Sequence, residues 1–297
     1  MPLHLPNVRG ARRLADALNA TEQALGRDPV RRVTMSAGHH MLVDRRSATE
    51  RGAFYLRSYD QQTIELLSGL VDPGTSVLDI GANIGFFTVP LGIFVQGQAG
   101  SGRVYAFEPV PSNRERLQEN VNLNKLGGSV QVVSSALSSQ AGTVEITLRE
   151  DFQNGSRTGN AAIVINAEDA QFETTAITTV RLDDYAASEI SGPISVMKID
   201  TEGHEDEVIA GGRETIARNR PAILMEVAPS YYERKGVDLY ERVRALLPSD
   251  YRFLAIELGR QSVLRPLGTR LNFAEIKDRS DFMRPQDVLL IPPERRI

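Results

Sequence analysis

The sequence predicts an α/β fold in which helices cover a mostly parallel sheet. Two observations carry this prediction. Short apolar segments at 76–80, 104–107 and 130–134 alternate with stretches of helical length, and the same alternation resumes after residue 194. A βαβαβ order of this kind requires right-handed crossovers, so the strands that it connects lie parallel in one sheet.

Residues 1–75 are expected to form an extension ahead of the sheet. Apolar positions at helical spacing predict a helix over 8–25, and apolar segments on both sides of an Ala-Gly turn predict a hairpin over 30–43. A second helix is predicted over 59–70, because an Asp-Pro-Gly turn follows and ends it.

Residues 76–297 are expected to form the sheet domain with two insertions. Short β-rich segments predict an antiparallel insertion at 141–180 around the polar loop 151–160, and the stretch 258–285 has the composition of a second, loop-like insertion. Ser112 is the predicted N-cap of the helix after the second strand, since an acid follows it at capping-box spacing. The remaining helices are predicted from residue 84 and at 205–218 and 229–247, and the later strands at 194–199, 222–227, 253–257 and 287–291.

Composition excludes several classes of function. The chain has 34 basic and 38 acidic residues, a net charge of −4, and therefore no basic field that favours nucleic acid or anionic lipid. It contains no cysteine, which excludes a thiolate nucleophile, disulfides and cysteine-ligated metal sites. No apolar segment has the length of a membrane span and no signal sequence is recognised, so we expect a cytoplasmic protein without nucleic-acid or membrane partners.

The turn after the first strand discriminates between cofactors. The strand ends with Asp79, and the turn into the next helix contains Gly81, Ala82, Asn83, Gly85 and Phe86. A dinucleotide site needs glycine where Asn83 and Phe86 stand, because a pyrophosphate must approach the backbone there. S-adenosylmethionine has no pyrophosphate, and Asp79 and Asn83 suit the ammonium and carboxylate of its methionine end. The turn therefore favours S-adenosylmethionine over NAD.

The next two strands extend this donor site. Glu108 stands at the end of the second strand, 27 residues after the first turn glycine, and Pro109 follows it. A carboxylate in this place can accept hydrogen bonds from both hydroxyls of a ribose. After the third strand, Ser135, Ala136 and Leu137 form the corner where the adenine is expected.

The segment Lys198-Ile199-Asp200-Thr201-Glu202-Gly203-His204-Glu205 resembles the FkbM family of S-adenosylmethionine-dependent methyltransferases. Supporting motifs follow in the family's order: Asp79–Gly85, Phe107–Pro109, Thr179–Tyr185 and Ile223–Glu226. The resemblance covers about residues 50–230. It implies a class I methyltransferase (Rossmann-like) fold with a sheet of seven strands, the last antiparallel, and O-methylation of a sugar or natural-product hydroxyl.

The residues themselves place ionisable groups at one edge of the sheet. Lys198 and Asp200 point to the same face of their strand, and Glu202 continues that line into the turn. Glu226 ends a neighbouring strand and should face the same crevice. Pairing of Lys198 with Asp200 or Glu226 is expected, and Asp200 is also expected to contact the donor.

The leading mechanistic hypothesis is general-base O-methylation. His204 is the preferred base, because the pKa of a histidine lies near neutrality, with Asp200 or Glu202 orienting it or the acceptor. Tyr55, Tyr59 and Glu202 are the candidate acceptor contacts.

Three alternatives remain open at this stage. Asp200 and Glu226, with Glu202 or His204, have the oxygen and imidazole groups that bind Mg²⁺ or Mn²⁺ in a metal-assisted methyltransferase. A nicotinamide-dependent oxidoreductase and a non-catalytic nucleotide-binding module are the alternatives from other classes. The acceptor and the oligomeric state are not specified by the sequence.

Overall fold

The computed structural model describes residues 11–98, 100, 102–156, 158–164, 169, 171–258 and 271–297. The strands are β1 (Val30–Thr34), β2 (His40–Asp44), β3 (Ser76–Ile80), β4 (Val104–Phe107), β5 (Val130–Val133), β6 (Ala136–Leu137), β7 (Gly142–Leu148), β8 (Ala161–Ile163), β9 (Glu173–Val180), β10 (Ile194–Ile199), β11 (Ala222–Val227), β12 (Arg252–Leu258), β13 (Leu271–Glu275) and β14 (Gln286–Ile291). The helices are α1 (Ala11–Ala24), α2 (Ala48–Leu56), α3 (Gln61–Leu70), α4 (Thr88–Gln96), α5 (Pro111–Leu123), α6 (Glu150–Gln153), α7 (Leu182–Glu189), α8 (Glu205–Gly211), α9 (Arg213–Asn219), α10 (Pro229–Lys235), α11 (Leu239–Leu246) and α12 (Arg279–Phe282).

The central sheet confirms the α/β fold class. Its eight strands lie in the order β13-β12-β14-β11-β10-β3-β4-β5, and six of them run parallel while β13 and β14 run in the opposite direction. The chain leaves β3 towards β5 on one side and later leaves β10 towards β11 on the other. The strand order therefore reverses between β3 and β10, and ligands bind beside such a switch point in open α/β sheets.

The centre of the sheet is the core of the protein. Every residue of β3 and β10 is buried, as expected for parallel strands that are covered on both faces. Val77 and Val196 belong to the apolar cluster on one face, whereas Leu78 and Met197 belong to the cluster on the other. The carboxyl ends of these strands are consequently held by packing on two sides.

The prediction of a loop-like insertion at 258–285 is wrong in part. Leu271–Glu275 forms β13, an eighth strand beyond the seven implied by the resemblance, and Arg279–Phe282 forms α12. Most of β13 is exposed, because it is an edge strand, and such a strand shows little of the apolar alternation that identifies strands in a sequence. Residues 259–270 lie outside the described part of the chain.

The antiparallel insertion forms a second sheet. Strands β7, β8 and β9 pair antiparallel as predicted, and the short β6 adds to β9 in parallel. Ile146 and Ile177 pack against Val110 at the start of α5, which attaches this sheet above the central one. The polar loop that follows α6 is thereby placed beside the carboxyl ends of the central strands.

The N-terminal extension contains the predicted hairpin, β1–β2, and the predicted helix before the sheet, α3. The first helix begins at Ala11 in the described residues, and the predicted start at residue 8 lies outside them. Helix α2 was not predicted. Its N-cap is Ser47, whose side chain accepts a hydrogen bond from the backbone N–H of Glu50. Ser47 and Ala48 also donate hydrogen bonds to Asp151, so the start of this helix contacts the insertion.

Four predicted helix boundaries need correction. Helix α4 begins at Thr88 rather than at residue 84. Helix α5 begins at Pro111 after the N-cap Val110, so Ser112 is not the N-cap; proline is preorganised for the first helical position. The predicted helix 205–218 divides at Gly212, and the predicted helix 229–247 divides at Gly236, which has a φ of 65°.

None of the helices among the described residues combines the length and the apolar character that crossing a membrane requires.

Candidate active site

A cleft of about 330 Å³ opens at the carboxyl ends of β3, β4, β10 and β11, beside the switch point of the sheet. It brings together most of the residues that the sequence singles out. The predicted residues that line it are Tyr59, Gly81, Ala82, Asn83, Phe86, Glu108, Pro109, Ala136, Leu137, Asp200, Glu202, His204 and Glu226.

The glycine turn is shaped by a close approach of two backbones. Gly81 has a φ of 77°, and a Cβ on it would lie 1.8 Å from the carbonyl oxygen of Asp200. No other residue fits there, because the atom in the way is backbone rather than a flexible side chain. The turn is therefore held directly against the end of β10.

Glu108 is fixed by the turn that it was expected to face. Its Oε2 accepts a hydrogen bond from the backbone N–H of Asn83 at 2.8 Å, and its Oε1 accepts one from that of Val110 at 2.9 Å. Burial raises the pKa of Glu108 to about 7, although these hydrogen bonds oppose the shift. The carboxyl group is thus preorganised at the wall of the cleft, at the end of β4.

Four predicted site residues do not line the cleft. Asp79 lies beneath the turn, where its carboxylate accepts a hydrogen bond from the hydroxyl of Thr88. A Cβ on Gly85 would lie 2.7 Å from Leu117, so this glycine allows close packing on α5. Tyr55 is buried on α2, and Ser135 is also absent from the lining.

Lys198 holds the centre of the site together. Its Nζ donates a hydrogen bond to the carbonyl oxygen of Gly81 at 2.8 Å and lies 3.2 Å from Asp200 and 3.5 Å from Asp79. Burial acts to lower the pKa of Lys198, but Asp200 and Asp79 outweigh it and hold the pKa above its ordinary value. The predicted Lys198–Asp200 pair is confirmed, and the same ammonium also fastens the glycine turn.

Three carboxyl groups meet beside this lysine. One oxygen from each of Asp200, Glu202 and Glu226 lies within 4.8 Å of the others. Burial and the neighbouring Asp200 raise the pKa of Glu226 to about 9 and that of Glu202 to about 7. At neutral pH, Glu226 therefore keeps its proton, whereas Glu202 is poised to gain or lose one.

The turn that presents Glu202 has a support of its own. Glu202 has a φ of 53°, a conformation that non-glycine residues rarely adopt. The buried Oε1 of Glu205 accepts hydrogen bonds from the backbone N–H groups of Thr201 and Gly203, at 2.9 and 3.2 Å. Its Oε2 accepts one from the hydroxyl of Tyr232. Glu205 thus fixes the turn rather than taking part in the cleft.

His204 lies apart from the three carboxyl groups, although it lines the same cleft. Its Nε2 is 3.0 Å from the hydroxyl oxygen of Ser138, next to the corner at Leu137. Burial, followed by the charge of Lys235, lowers the pKa of His204 to about 4. The imidazole is consequently neutral at physiological pH and a weaker base than the sequence suggests.

Asp287 does not line the cleft, but it is a charged neighbour of the site that was not predicted. It pairs with Glu226 in the β11–β14 register. Burial, with further contributions from Asp60 and Asp200, raises the pKa of Asp287 to about 6. Its position at the start of a predicted strand was the only signal, because an antiparallel neighbour of Glu226 cannot be recognised without the sheet order.

Residues 158–160, here called the strap, belong to the polar loop 151–160, which the sequence marks as a candidate gatekeeper of the site without naming any of its residues as a site residue. The hydroxyl of Thr158 donates a hydrogen bond to Glu50 on α2, and Gly159 exchanges two hydrogen bonds with the side chain of Asn113, at 2.9 and 3.1 Å. The Nδ2 of Asn160 donates to Oε1 of Glu202 at 2.6 Å. The strap therefore lies across the cleft, from the extension to the acidic side.

The aromatic wall of the cleft includes the second tyrosine that was predicted as an acceptor contact. Tyr59 stacks on Phe86 with ring centres 4.3 Å apart and an angle of 9° between the rings. Both rings line the cleft on the side of the glycine turn. Phe86, which argued against a dinucleotide in the sequence, thus forms part of an apolar surface with Tyr59.

Comparison with known proteins gives a family for this arrangement. Residues 79–255 match the family described as the methyltransferase FkbM domain. The chain is 30% identical to 31-O-demethyl-FK506 methyltransferase FkbM of Streptomyces tacrolimicus over 183 aligned residues, covering 54% of this chain and 66% of that protein. It is 29% identical to hexuronic acid methyltransferase AglP of Haloferax volcanii over 153 residues, covering 51% and 56%. The chain therefore spans less than two thirds of the length of both relatives.

Solved structures that match the chain in part include methyltransferase FkbM from Methylobacillus flagellatus, with a TM-score of 0.44 and 16% identity, covering 84% of this chain and 56% of that one. They also include an O-methyltransferase from Thermotoga maritima, with a TM-score of 0.45 and 13% identity, covering 93% of this chain and 82% of that one. The family match spans more than half of the 297 residues and takes in both the glycine turn and the three carboxyl groups. The chain belongs to the FkbM methyltransferase family.

Proposed function

We propose that the protein is an S-adenosylmethionine-dependent O-methyltransferase that acts on a hydroxyl of a sugar or natural product. One observation carries the proposal: Glu202, a carboxyl group with a pKa near neutrality, lies in the same cleft as the glycine turn and Glu108. The names of the two curated relatives, which refer to demethylated FK506 and to hexuronic acid, support a small hydroxylated acceptor.

The donor half of the cleft fits S-adenosylmethionine. Gly81 leaves a cradle that a Cβ would fill, and Glu108 stands where it can accept hydrogen bonds from ribose hydroxyls. Pro109, Ala136 and Leu137 add a small apolar wall suited to a nucleobase. When bound, the donor supplies a methyl group that is activated by a positively charged sulfur.

The acidic half of the cleft provides a general base. An alcohol must lose its proton as it attacks, and a base with a pKa near the working pH serves this step best. Glu202 meets that requirement, since its pKa lies at about 7. Glu226 retains a proton with which to orient the acceptor oxygen, and Asp200 is neutralised by Lys198. The sequence-based candidate, His204, takes second place because of its low pKa.

Titration calorimetry and turnover assays test the proposal together. We expect S-adenosylhomocysteine to bind with micromolar affinity and NADH not to bind. Labelled S-adenosylmethionine should then transfer its methyl group to one or more members of a panel of sugars, uronic acids and macrolide alcohols. Binding of NADH instead would favour an oxidoreductase. Binding of S-adenosylhomocysteine with no turnover on any acceptor would favour a non-catalytic module.

Replacing Glu108 with glutamine is expected to weaken S-adenosylhomocysteine binding about 10- to 100-fold, because hydrogen bonds to a charged group contribute about 1.5–3 kcal/mol. The glutamine amide would also turn a donor towards the backbone N–H of Asn83 or Val110, both of which need an acceptor. Calorimetry measures the change. Glu115→Gln, on the exposed face of α5, is the matched control, and equal affinity of the two variants would contradict the assignment.

Chelation is expected to leave the activity unchanged. The three carboxyl groups are close enough to share a cation, but a buried ammonium already lies beside them. The Nζ of Lys198 is 3.2 Å from Asp200, where it balances that carboxylate and would repel a divalent ion. Rates with and without EDTA measure the effect, and a loss that Mg²⁺ or Mn²⁺ restores would favour the metal-assisted mechanism.

A further inference from the structure

We propose that Asn160 is a positioning residue that orients Glu202 and favours its ionised form. This inference rests on the proposed function, since it gives Asn160 its role through the proposed base. It assigns a function to the insertion at 141–180, in which the sequence predicted no site residue.

The contact between the two side chains is short and has a defined direction. The Nδ2 of Asn160 donates a hydrogen bond to Oε1 of Glu202 at 2.6 Å, which is the direction that an ionised Glu202 requires. The Oδ1 of Asn160 faces the other way and lies 3.4 Å from Nδ2 of Asn83. Asn160 therefore stands between the proposed base and the glycine turn.

The backbone on both sides of this amide is anchored. The carbonyl oxygen of Asn160 accepts a hydrogen bond from the backbone N–H of Arg149 at 3.0 Å. The preceding Gly159 is held by its two hydrogen bonds to Asn113, and Thr158 is held by Glu50. Asn160 is exposed, but its chain is tied to the start of α5 and to α2, so its side chain is directed at Glu202 by the strap.

The groups around Glu202 make this hydrogen bond consequential. Asp200 and Glu205 on its own turn, and Glu226 on β11, are acidic and act against its ionisation. Arg149 after β7 and the hydroxyl of Tyr231 on α10 act in favour of it. Asn160 adds an N–H donor to the residues that favour ionisation of Glu202. Hydrogen bonding to a carboxylate favours the charged form, so loss of this donor should raise the pKa of Glu202.

Carbon NMR of the protein labelled with [5-¹³C]glutamate and saturated with S-adenosylhomocysteine tests the inference directly. The Glu202 resonance is assigned by its absence in Glu202→Gln. In Asn160→Ala the Glu202 titration is expected to move up by about 0.5–1 pH unit, as loss of a partly exposed hydrogen bond to a charged group predicts. Asn160→Asp, which keeps the volume but replaces the donor with a like charge, should move it further.

Asn154→Ala is the matched control, because it lies exposed in the same loop outside the strap. This variant should leave the pKa of Glu202 unchanged. Binding of S-adenosylhomocysteine within about threefold of the wild-type value shows that each variant is folded; if Asn160→Ala fails this check, Asn160→Asp decides alone. If the pKa of Glu202 is unchanged in the folded Asn160 variants, the inference is wrong. The proposed function is judged separately, by the turnover of Glu202→Gln.

Discussion

Glu202→Gln is expected to lower kcat by about 10²–10⁴-fold, the range that a well-placed general base contributes. Glutamine keeps the size of the side chain and can still meet Asn160 and Tyr231, but it cannot take a proton from the acceptor. The glycine turn and Glu108 are untouched, so the affinity for S-adenosylhomocysteine should stay within about threefold. Turnover on an acceptor from the panel, measured beside calorimetry, separates the two effects.

The pH profile gives this prediction its sharpest form. A base must be ionised to act, so the rate should fall as the pH drops through the pKa of Glu202, which lies at about 7. If His204 were the base, the rate would fall near pH 4, the pKa of His204, and His204→Ala would abolish turnover. Glu233→Gln, on the exposed face of α10, is the control. Full activity of Glu202→Gln would contradict the proposed mechanism.

The strands at the centre of the sheet were predictable because they are buried on both faces. β3, β10 and β11 have the bounds that their continuous apolar segments predict. Glu108 and Glu226 were identified by the same logic, since the carboxyl ends of parallel strands converge at one edge. Local sequence is sufficient wherever burial decides both the strand and the direction in which it points.

Contacts between distant segments were not predictable in this way. Asn160 and Glu202 are 42 residues apart, and nothing in a polar loop indicates which carboxylate its amide will meet. Helix α2 was missed because most of its apolar residues are consecutive, at 53–56, rather than at helical spacing. Its N-terminus also depends on Asp151, whose carboxylate accepts hydrogen bonds from Ser47 and Ala48. These elements line one side of the cleft, where long-range pairing decides the structure.

Asp79 illustrates a second limit of prediction from sequence, which concerns what a side chain faces. Its place at the end of β3 predicted a contact with the donor, yet its side chain is fully buried between Thr88 and Lys198. Period-two alternation assigns a residue to a face of the sheet, but it does not say whether a polar side chain there meets a ligand or another side chain. Asp79 faces Lys198, a buried lysine on the adjacent strand, rather than the cleft.

That arrangement predicts a large loss of stability for Lys198→Met. Removing one partner of a buried ion pair leaves an uncompensated charge and costs about 3–5 kcal/mol. Asp79 is completely buried and would lose its only cationic partner among the described residues, and the carbonyl oxygen of Gly81 would lose a donor. Urea unfolding followed by circular dichroism measures the free energy of unfolding. Methionine is chosen because it keeps an unbranched apolar side chain of nearly the same length.

Two further variants show whether the buried charge is the cause. Lys277→Met, at an exposed position, should change the free energy of unfolding by no more than about 0.5 kcal/mol. Adding Asp79→Asn to Lys198→Met removes the uncompensated carboxylate while keeping an acceptor for Thr88, so the double variant should be more stable than Lys198→Met alone. If the second substitution destabilises the protein further, the loss does not come from Asp79. The lysine would then act mainly by fastening the glycine turn to β10 through the carbonyl oxygen of Gly81.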